Sequence, residues 1–382
     1  MHVLHILEAF AGGTRRHVLD LLPAMQRQGV SCTLVASAVR NTTYEQDVAL
    51  LQSQGVAVIR LEMSRGFDPQ GDIGALLRLT AILRRTRPDI IHCHSSKAGF
   101  LGRLARSSTL CTPLVYTPHC LAYDTGLPRL QRRAARWVEQ SLTPLTTRYV
   151  AVSQHEERVI RNTLARGKRV TTIPNGVNLE EFDALPTASR SDFDLGEDDF
   201  VIGCFGRLTA QKNQAALICI LPDLVAHIPR ATLFFVGEGE DRAQLGGLLN
   251  EVLQGRQKEQ VKVVWAGEQS EARPLYELCD VVAQPSRWEG CPYSILEAMA
   301  ASRSVVAATV GGVAEILSDD YGFSYLTSQR HSLATLLWRV ARDSELREQT
   351  GYRARQRVEA CFSLEQMVQR TLKVYESVLN SR

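Results

Sequence analysis

VLHILEAFAGGTRRHVLDLLPAMQRQGVSCTLVAS, residues 3–37, holds one complete unit of the architecture. VLHIL and SCTLVAS are short, nearly continuous apolar runs, the pattern of parallel strands buried on both faces. Gly12 and Gly13 fall between the first run and a helix-length segment. Strand, glycine turn, helix and strand together predict a βαβ unit. Paired glycines there let backbone N–H groups approach an anion or a sugar, although a plain tight turn reads the same way.

The succession continues through VAVIRL, DIIHCH, PLVYT, RYVAVS and VTTIPN, with helix-length segments between them, one running from Gly71 to Arg87 and stopping at Pro88. The stretch PNGVNLEEFDALPTASRSDFDLGEDD then reads as a linker, rich in Pro, Asn, Asp and Gly. Beyond it the pattern restarts with FVIGCFG, ATLFFVG, VKVVWAG, DVVAQPS and SVVAATV, and the chain ends in helices, the last near Leu364–Leu379. The expectation is an α/β protein of two facing, doubly wound, Rossmann-like domains, 1–178 and 179–363. Open parallel sheets bind ligands at the carboxyl ends of their strands, so the loops there matter most.

Bulk properties agree with that class. A chain of 382 residues with 45% hydrophobic and 22% charged side chains suits two globular domains. The nine cysteines form no C-x-x-C pair, as expected of reduced thiols in a cytoplasmic protein. The N-terminus reads as a first strand and not as a signal peptide. Residues 1–180 hold 23 of the 44 Lys+Arg and 13 of the 41 Asp+Glu, a net of +10, which leaves −7 for the remainder. A basic first half suits an anionic partner such as nucleic acid, an anionic membrane surface or a phosphorylated acceptor.

Three places carry candidate chemistry. In GCFGRLTAQKN, Gly206 permits close approach, and Arg207 and Lys212 stand five residues apart. An Arg fork and a Lys point charge suit a diphosphate leaving group, and equally suit two solvated surface cations. In PSRWEGCPYSILEAMA, Glu289 lies in a loop and Glu297 eight positions later, inside a helix that Pro292 is placed to open. Two ionised carboxylates accept hydroxyls well, as a hexose and a ribose require, and a helix N-terminus favours phosphate. The alternative is a helix-stabilising carboxylate plus a surface Glu. Third, Arg129, Arg132, Arg133 and Arg136 share one helix face, with Leu130, Ala134, Trp137 and Val138 towards the other side. That stripe reads either as a solvated face or as a contact with anionic lipid headgroups. His92 and His94 share a strand face, but no further ligand cluster accompanies them and no metal is expected.

Together the Gly12-Gly13 loop, IPNGVN at 173–178, the Arg207/Lys212 pair, Glu289 with Glu297, and VGGVAE at 310–315 resemble the GT-B-fold retaining glycosyltransferases of glycosyltransferase family four, of the bacterial surface-polysaccharide type. The resemblance implies an acceptor-side first domain, a nucleotide-sugar-binding second domain, and a C-terminal helix, 364–382, packing back on the first. It implies that Arg207 and Lys212 hold the donor diphosphate, that Glu297 takes the ribose, and that Glu289, beside Gly290, takes the transferred sugar. Gly12, Gly13, Gly206, Gly311 and Gly312 would approach the donor. His119 in VYTPHC matches the family histidine that contacts the sugar, with Cys120 where relatives often have glycine. Ser95, Ser96 and Lys97 in HSSKAG would meet the acceptor.

The implied reaction is metal-independent transfer, with retention, of a hexose or N-acetylhexosamine. UDP-sugar is favoured over GDP-mannose, the acceptor is a lipid-linked saccharide, and no cofactor is needed because the nucleotide sugar is a substrate. Location would be cytoplasmic or peripheral at the cytoplasmic face of the inner membrane, with no nucleic-acid partner. A small soluble acceptor is the alternative within this class. A nucleotide-sugar epimerase of the same architecture is the alternative outside it, and the Glu289/Glu297 motif argues against it.

Overall fold

The computed structural model describes the chain apart from residues 40, 65, 67, 110–111, 165–168, 254–260, 319 and 382. Two compact units emerge: Met1–Asn175 joined by Leu364–Arg382, and Gly176–Ser363. The first carries strands β1 (His2–Leu7), β2 (Ser31–Ala36), β3 (Ala57–Arg60), β4 (Ile90–His94), β5 (Leu114–Thr117), β6 (Arg148–Ala151) and β7 (Val170–Thr172). The second carries β8 (Phe200–Phe205), β9 (Ala231–Val236), β10 (Lys262–Gly267), β11 (Val281–Gln284), β12 (Ser304–Ala308) and β13 (Phe323–Tyr325).

The first sheet runs β3-β2-β1-β4-β5-β6-β7 and the second β10-β9-β8-β11-β12-β13. Neighbouring strands pair in parallel throughout. In each sheet the order reverses once, between β1 and β4 and between β8 and β11. Chain leaving those strands splays to opposite faces, so each reversal opens a crevice at the strands' carboxyl ends. β13 was not expected from the sequence; only three residues long, it pairs solely with β12.

Alternation along β1 divides the first core into two layers. Val3 and Leu7 face one layer, with the helix Gly12–Arg27, and Leu4 and Ile6 face the other. The C-terminal helix Leu364–Leu379 joins the Val3 layer through Leu364, Met367, Val368, Val374, Tyr375 and Val378, all buried. It therefore completes the first domain's core. His5 sits between Val3 and Leu7, and His92 and His94 flank Cys93, so strand alternation turns all three towards this layer.

Candidate active site

In the second domain the loops after β8 and β11 flank the reversal and are tied together. Gln211 donates to the carbonyl of Trp288 at 3.1 Å, Asn213 to that of Pro285 at 3.0 Å, and the Arg287 amide to the carbonyl of Gln211 at 2.8 Å. Between them the Lys212 Nζ lies 2.7 Å from Glu289 Oε1, which also accepts from the Ser286 hydroxyl at 2.8 Å. Both charged side chains are largely enclosed, at 16% and 6% exposure. Such a pair holds its place only with good geometry and further hydrogen bonds, which Ser286 supplies to Glu289.

The glycines have local reasons. Gly206 takes φ 129°, a conformation that side chains rarely adopt, where the backbone turns over Lys212. Gly311 takes φ 52°, and a Cβ there would lie 1.8 Å from the Glu289 carbonyl oxygen. The backbone after β12 thus rests directly on the Glu289 loop, and the Gly312 amide donates to that same carbonyl at 3.4 Å. Gly290 is half-buried beside it and Arg207 is exposed. The helix Tyr293–Ala300 starts after Pro292, and Glu297 within it accepts from the Tyr276 hydroxyl at 3.0 Å. Glu289 and Glu297 thus have separate partners, Lys212 with Ser286 for one and Tyr276 for the other.

In the first domain Gly12 and Gly13 are exposed at the N-terminus of the helix Gly12–Arg27, with Gly12 at φ 55°. No side chain caps that terminus and its first turn carries no acidic residue. Its amides and positive dipole end suit an anion. His119 follows β5 at φ 56° and Cys120 at φ 100°. Cys120 therefore occupies a backbone conformation that glycine would take without strain. Glu156 holds it: one carboxylate oxygen accepts from the Cys120 amide and the other from the Val152 amide, each at 2.8 Å. Burial pushes the Glu156 carboxyl up to about 7, against the opposing effect of these two amides.

The expectation that His92 and His94 lack companions is corrected by the structure. Parallel register sets His5 of β1 beside His92 of β4, and His17 and His119 complete a five-histidine cluster. His5 Nδ1 lies 3.1 Å from His94 Nε2, and His94 Nδ1 lies 3.1 Å from His119 Nε2. His92 meets the Tyr375 hydroxyl at 2.5 Å and the Thr117 hydroxyl at 2.8 Å, and His17 meets the Asn175 amide oxygen at 3.1 Å. Burial lowers His5 to about 3 and His17 to about 4, and holds His92, His94 and His119 well below the ordinary range. Two triads, His5/His92/His94 and His17/His94/His119, bring ring nitrogens within 4.8 Å, close enough for a metal ion. The contacts already made favour protons: both His92 nitrogens are taken by hydroxyls, and both His94 contacts have hydrogen-bond length.

The remaining predicted residues divide. Ser95 is buried immediately before the helix Ser96–Arg106, at φ 79° and without a side-chain capping bond; Ser96 is half-buried. Lys97 contacts both oxygens of Asp72 at 2.7 Å, so its charge is already matched. Arg129, Arg132, Arg133 and Arg136 lie exposed on the helix Arg129–Leu142, whose covered face is formed by Ala135, Val138, Glu139 and Leu142, so that Leu130 and Trp137 are left uncovered. Leu130 is 79% and Trp137 69% exposed. The helix is held instead near its C-terminal end, where Glu139 accepts from Arg103 at 2.7 Å and Tyr116 at 3.0 Å, and Leu142 is buried. No described helix is long and apolar enough to cross a membrane.

Residues 11–181 match the family described as Glycosyltransferase Family 4, and residues 187–357 the one described as Glycosyl transferases group 1. A UDP-Gal:alpha-D-GlcNAc-diphosphoundecaprenol alpha-1,3-galactosyltransferase of Escherichia coli is 28% identical over 290 residues, 72% of this chain and 72% of its own. The capsular polysaccharide biosynthesis glycosyltransferase CapM of Staphylococcus aureus is 23% identical over 326 residues, 84% of each chain. Anabaena Alr3699/HepE, solved with UDP and glucose, shares the fold at TM-score 0.80 and 21% identity, over 99% of this chain and 100% of that one.

Proposed function

The chain belongs to glycosyltransferase family 4, with the GT-B fold, and from that premise we propose that it moves a hexose or N-acetylhexosamine from a UDP-sugar to a lipid-linked saccharide, with retention and without a metal. The observation that carries the reading is the Lys212–Glu289 pair, built across the two loops that flank the β8/β11 reversal. A cation for a diphosphate and an acceptor for sugar hydroxyls stand side by side where an open parallel sheet receives a ligand.

The chemistry follows from charge. As the glycosidic bond to the diphosphate lengthens, negative charge grows on the leaving group and positive charge on the sugar. Lys212 and Arg207 stabilise the first, the term that usually contributes most to such a step. A diphosphate competes with Glu289 for Lys212 and leaves that carboxylate free to accept hydroxyls of the transferred sugar. Glu297 takes the ribose, the backbone at Gly206, Gly311 and Gly312 approaches the donor, and His119 is the first domain's contribution to the sugar. Retention follows from attack by the acceptor hydroxyl on the leaving group's own face, its proton passing to a departing phosphate oxygen.

The lipid-linked acceptor is supported by the diphosphoundecaprenol acceptor in the name of the Escherichia coli relative and by the exposed helix Arg129–Leu142, which sets Leu130 and Trp137 beside four arginines. Such a helix lies in a headgroup layer, at the cytoplasmic face of the inner membrane. The test is incubation with labelled UDP-galactose, UDP-glucose, UDP-N-acetylglucosamine and GDP-mannose, each with a polyprenyl-diphosphate-linked sugar. Transfer from one UDP-sugar giving an α-linked product supports the proposal; a β-linked product refutes retention, and transfer from GDP-mannose alone refutes the donor.

A further inference from the structure

His5, His94 and His119 form a continuous chain of ring-to-ring contacts, from buried β1 to the partly exposed loop after β5. A contact of 3.1 Å between two imidazole nitrogens needs one proton: two lone pairs repel, and two N–H groups clash. A neutral His94 has one ring proton and two such contacts, so its choice fixes both neighbours. Either all three rings carry the proton on Nδ1, or all three carry it on Nε2.

His5 decides between the two. Its Nε2 is buried and meets no hydrogen-bond partner among the described residues. With every proton on Nε2, that atom is a buried N–H without an acceptor, rarer in folded proteins than an acceptor left short of a donor. With every proton on Nδ1, His5 donates to His94, His94 donates to His119, and the His119 Nδ1–H is left for another partner.

We propose that His5 and His94 are positioning residues that hold His119 as its Nδ1–H tautomer, a pre-set hydrogen-bond donor to an oxygen of the transferred sugar. The proposal rests on the reading above that His119 serves that sugar. Burial keeps the three rings uncharged. An uncharged donor suits a site where the sugar becomes positive, because an imidazolium there would oppose the charge being formed.

The experiment is a long-range nitrogen–proton correlation spectrum of the full chain labelled with ¹⁵N-histidine, with His119→Phe for assignment. The wild type is expected to show His119 protonated on Nδ1 and bare on Nε2. In His94→Phe the His119 signals should move to a tautomer mixture, with kcat falling about tenfold or more and the donor KM little changed. His94→Asn keeps an amide donor near the old Nδ1 position and should restore both the tautomer and most of kcat. If His94→Phe does not fold, His5→Phe gives the same reading, because it removes the donor that fixes the His94 proton. A wild-type His119 protonated on Nε2, a tautomer unmoved by His94→Phe, or stoichiometric zinc in the purified protein would each overturn the proposal. The spectrum needs no substrate. A correct tautomer in a chain that transfers no sugar sinks only the glycosyl-transfer reading; transfer with the wrong tautomer sinks only this one.

Discussion

Removing Lys212 strands Glu289, because the pair is enclosed and Ser286 alone remains to it. Lys212→Ala should therefore lose both diphosphonucleoside binding and about 3–5 kcal/mol of second-domain stability. Lys212→Ala with Glu289→Ala should be less unstable than the sum of the two single changes, yet still not bind; chemical denaturation of all four proteins reads the coupling, and strict additivity contradicts the pairing. The histidines make a second prediction. Ordinarily near 6.5, they stay neutral in the fold down to about 3 for His5 and about 4 for His17, and His92, His94 and His119 are likewise lowered. Below about pH 6.5 the unfolded chain binds more protons than the folded one, so stability falls as pH drops. Glu156 runs the other way: its carboxyl rises from 4.5 to about 7, so the fold holds the extra proton across that window. The lowered histidines outnumber this one carboxyl, so unfolding takes up protons below about pH 6.5 and the first domain's Tm should drop between pH 7 and 5.5. A flat Tm there contradicts the neutral cluster. Sequence alone singled out His92 and His94, through their alternation, and His119, through its resemblance to the family histidine, but not their contact. His5 joins them by strand register, and His17 and His119 by tertiary packing, neither of which a local pattern encodes.

At the scale of elements, the helix Arg129–Leu142 presents arginines and apolar side chains to solvent together. Leu130→Ser with Trp137→Ser should weaken co-sedimentation with phosphatidylglycerol vesicles, and raised salt should weaken what the arginines contribute. Unchanged, salt-insensitive binding contradicts this role. Periodicity puts the four arginines on one face, but it cannot say which face a neighbour covers; the anchor lies at Glu139 and Leu142. The C-terminal helix reaches the histidines through Tyr375. Tyr375→Phe should cost about 1–3 kcal/mol, because His92 Nδ1 loses its buried partner. Equal stability by denaturation would show that the hydroxyl is dispensable. Twelve of the thirteen strands among the described residues stood out in sequence as apolar runs; β13 did not, because Phe323–Tyr325 holds no Val, Ile or Leu and its middle residue is exposed.

For the whole molecule, the parallel sheets and the placing of the two glycine loops and the Glu289/Glu297 stretch at strand ends were legible, since buried parallel strands announce themselves by composition. The Lys212–Glu289 contact was not, because it joins loops 77 residues apart. The uneven charge, +10 over residues 1–180 and −7 over the remainder, sets the basic surface in the sequence half that holds the Arg129–Leu142 helix. On the function proposed above, the second domain's loops receive a nucleoside diphosphate. Thermal unfolding with UDP, GDP, ADP and dTDP, on the wild type and Lys212→Ala, tests it directly. At about a hundredfold excess over its Kd a ligand adds about 2.7 kcal/mol, enough to raise Tm by several degrees. UDP is expected to raise the wild-type Tm and to leave that of Lys212→Ala unmoved. No shift with any diphosphonucleoside, or a UDP shift that survives the loss of Lys212, would contradict it.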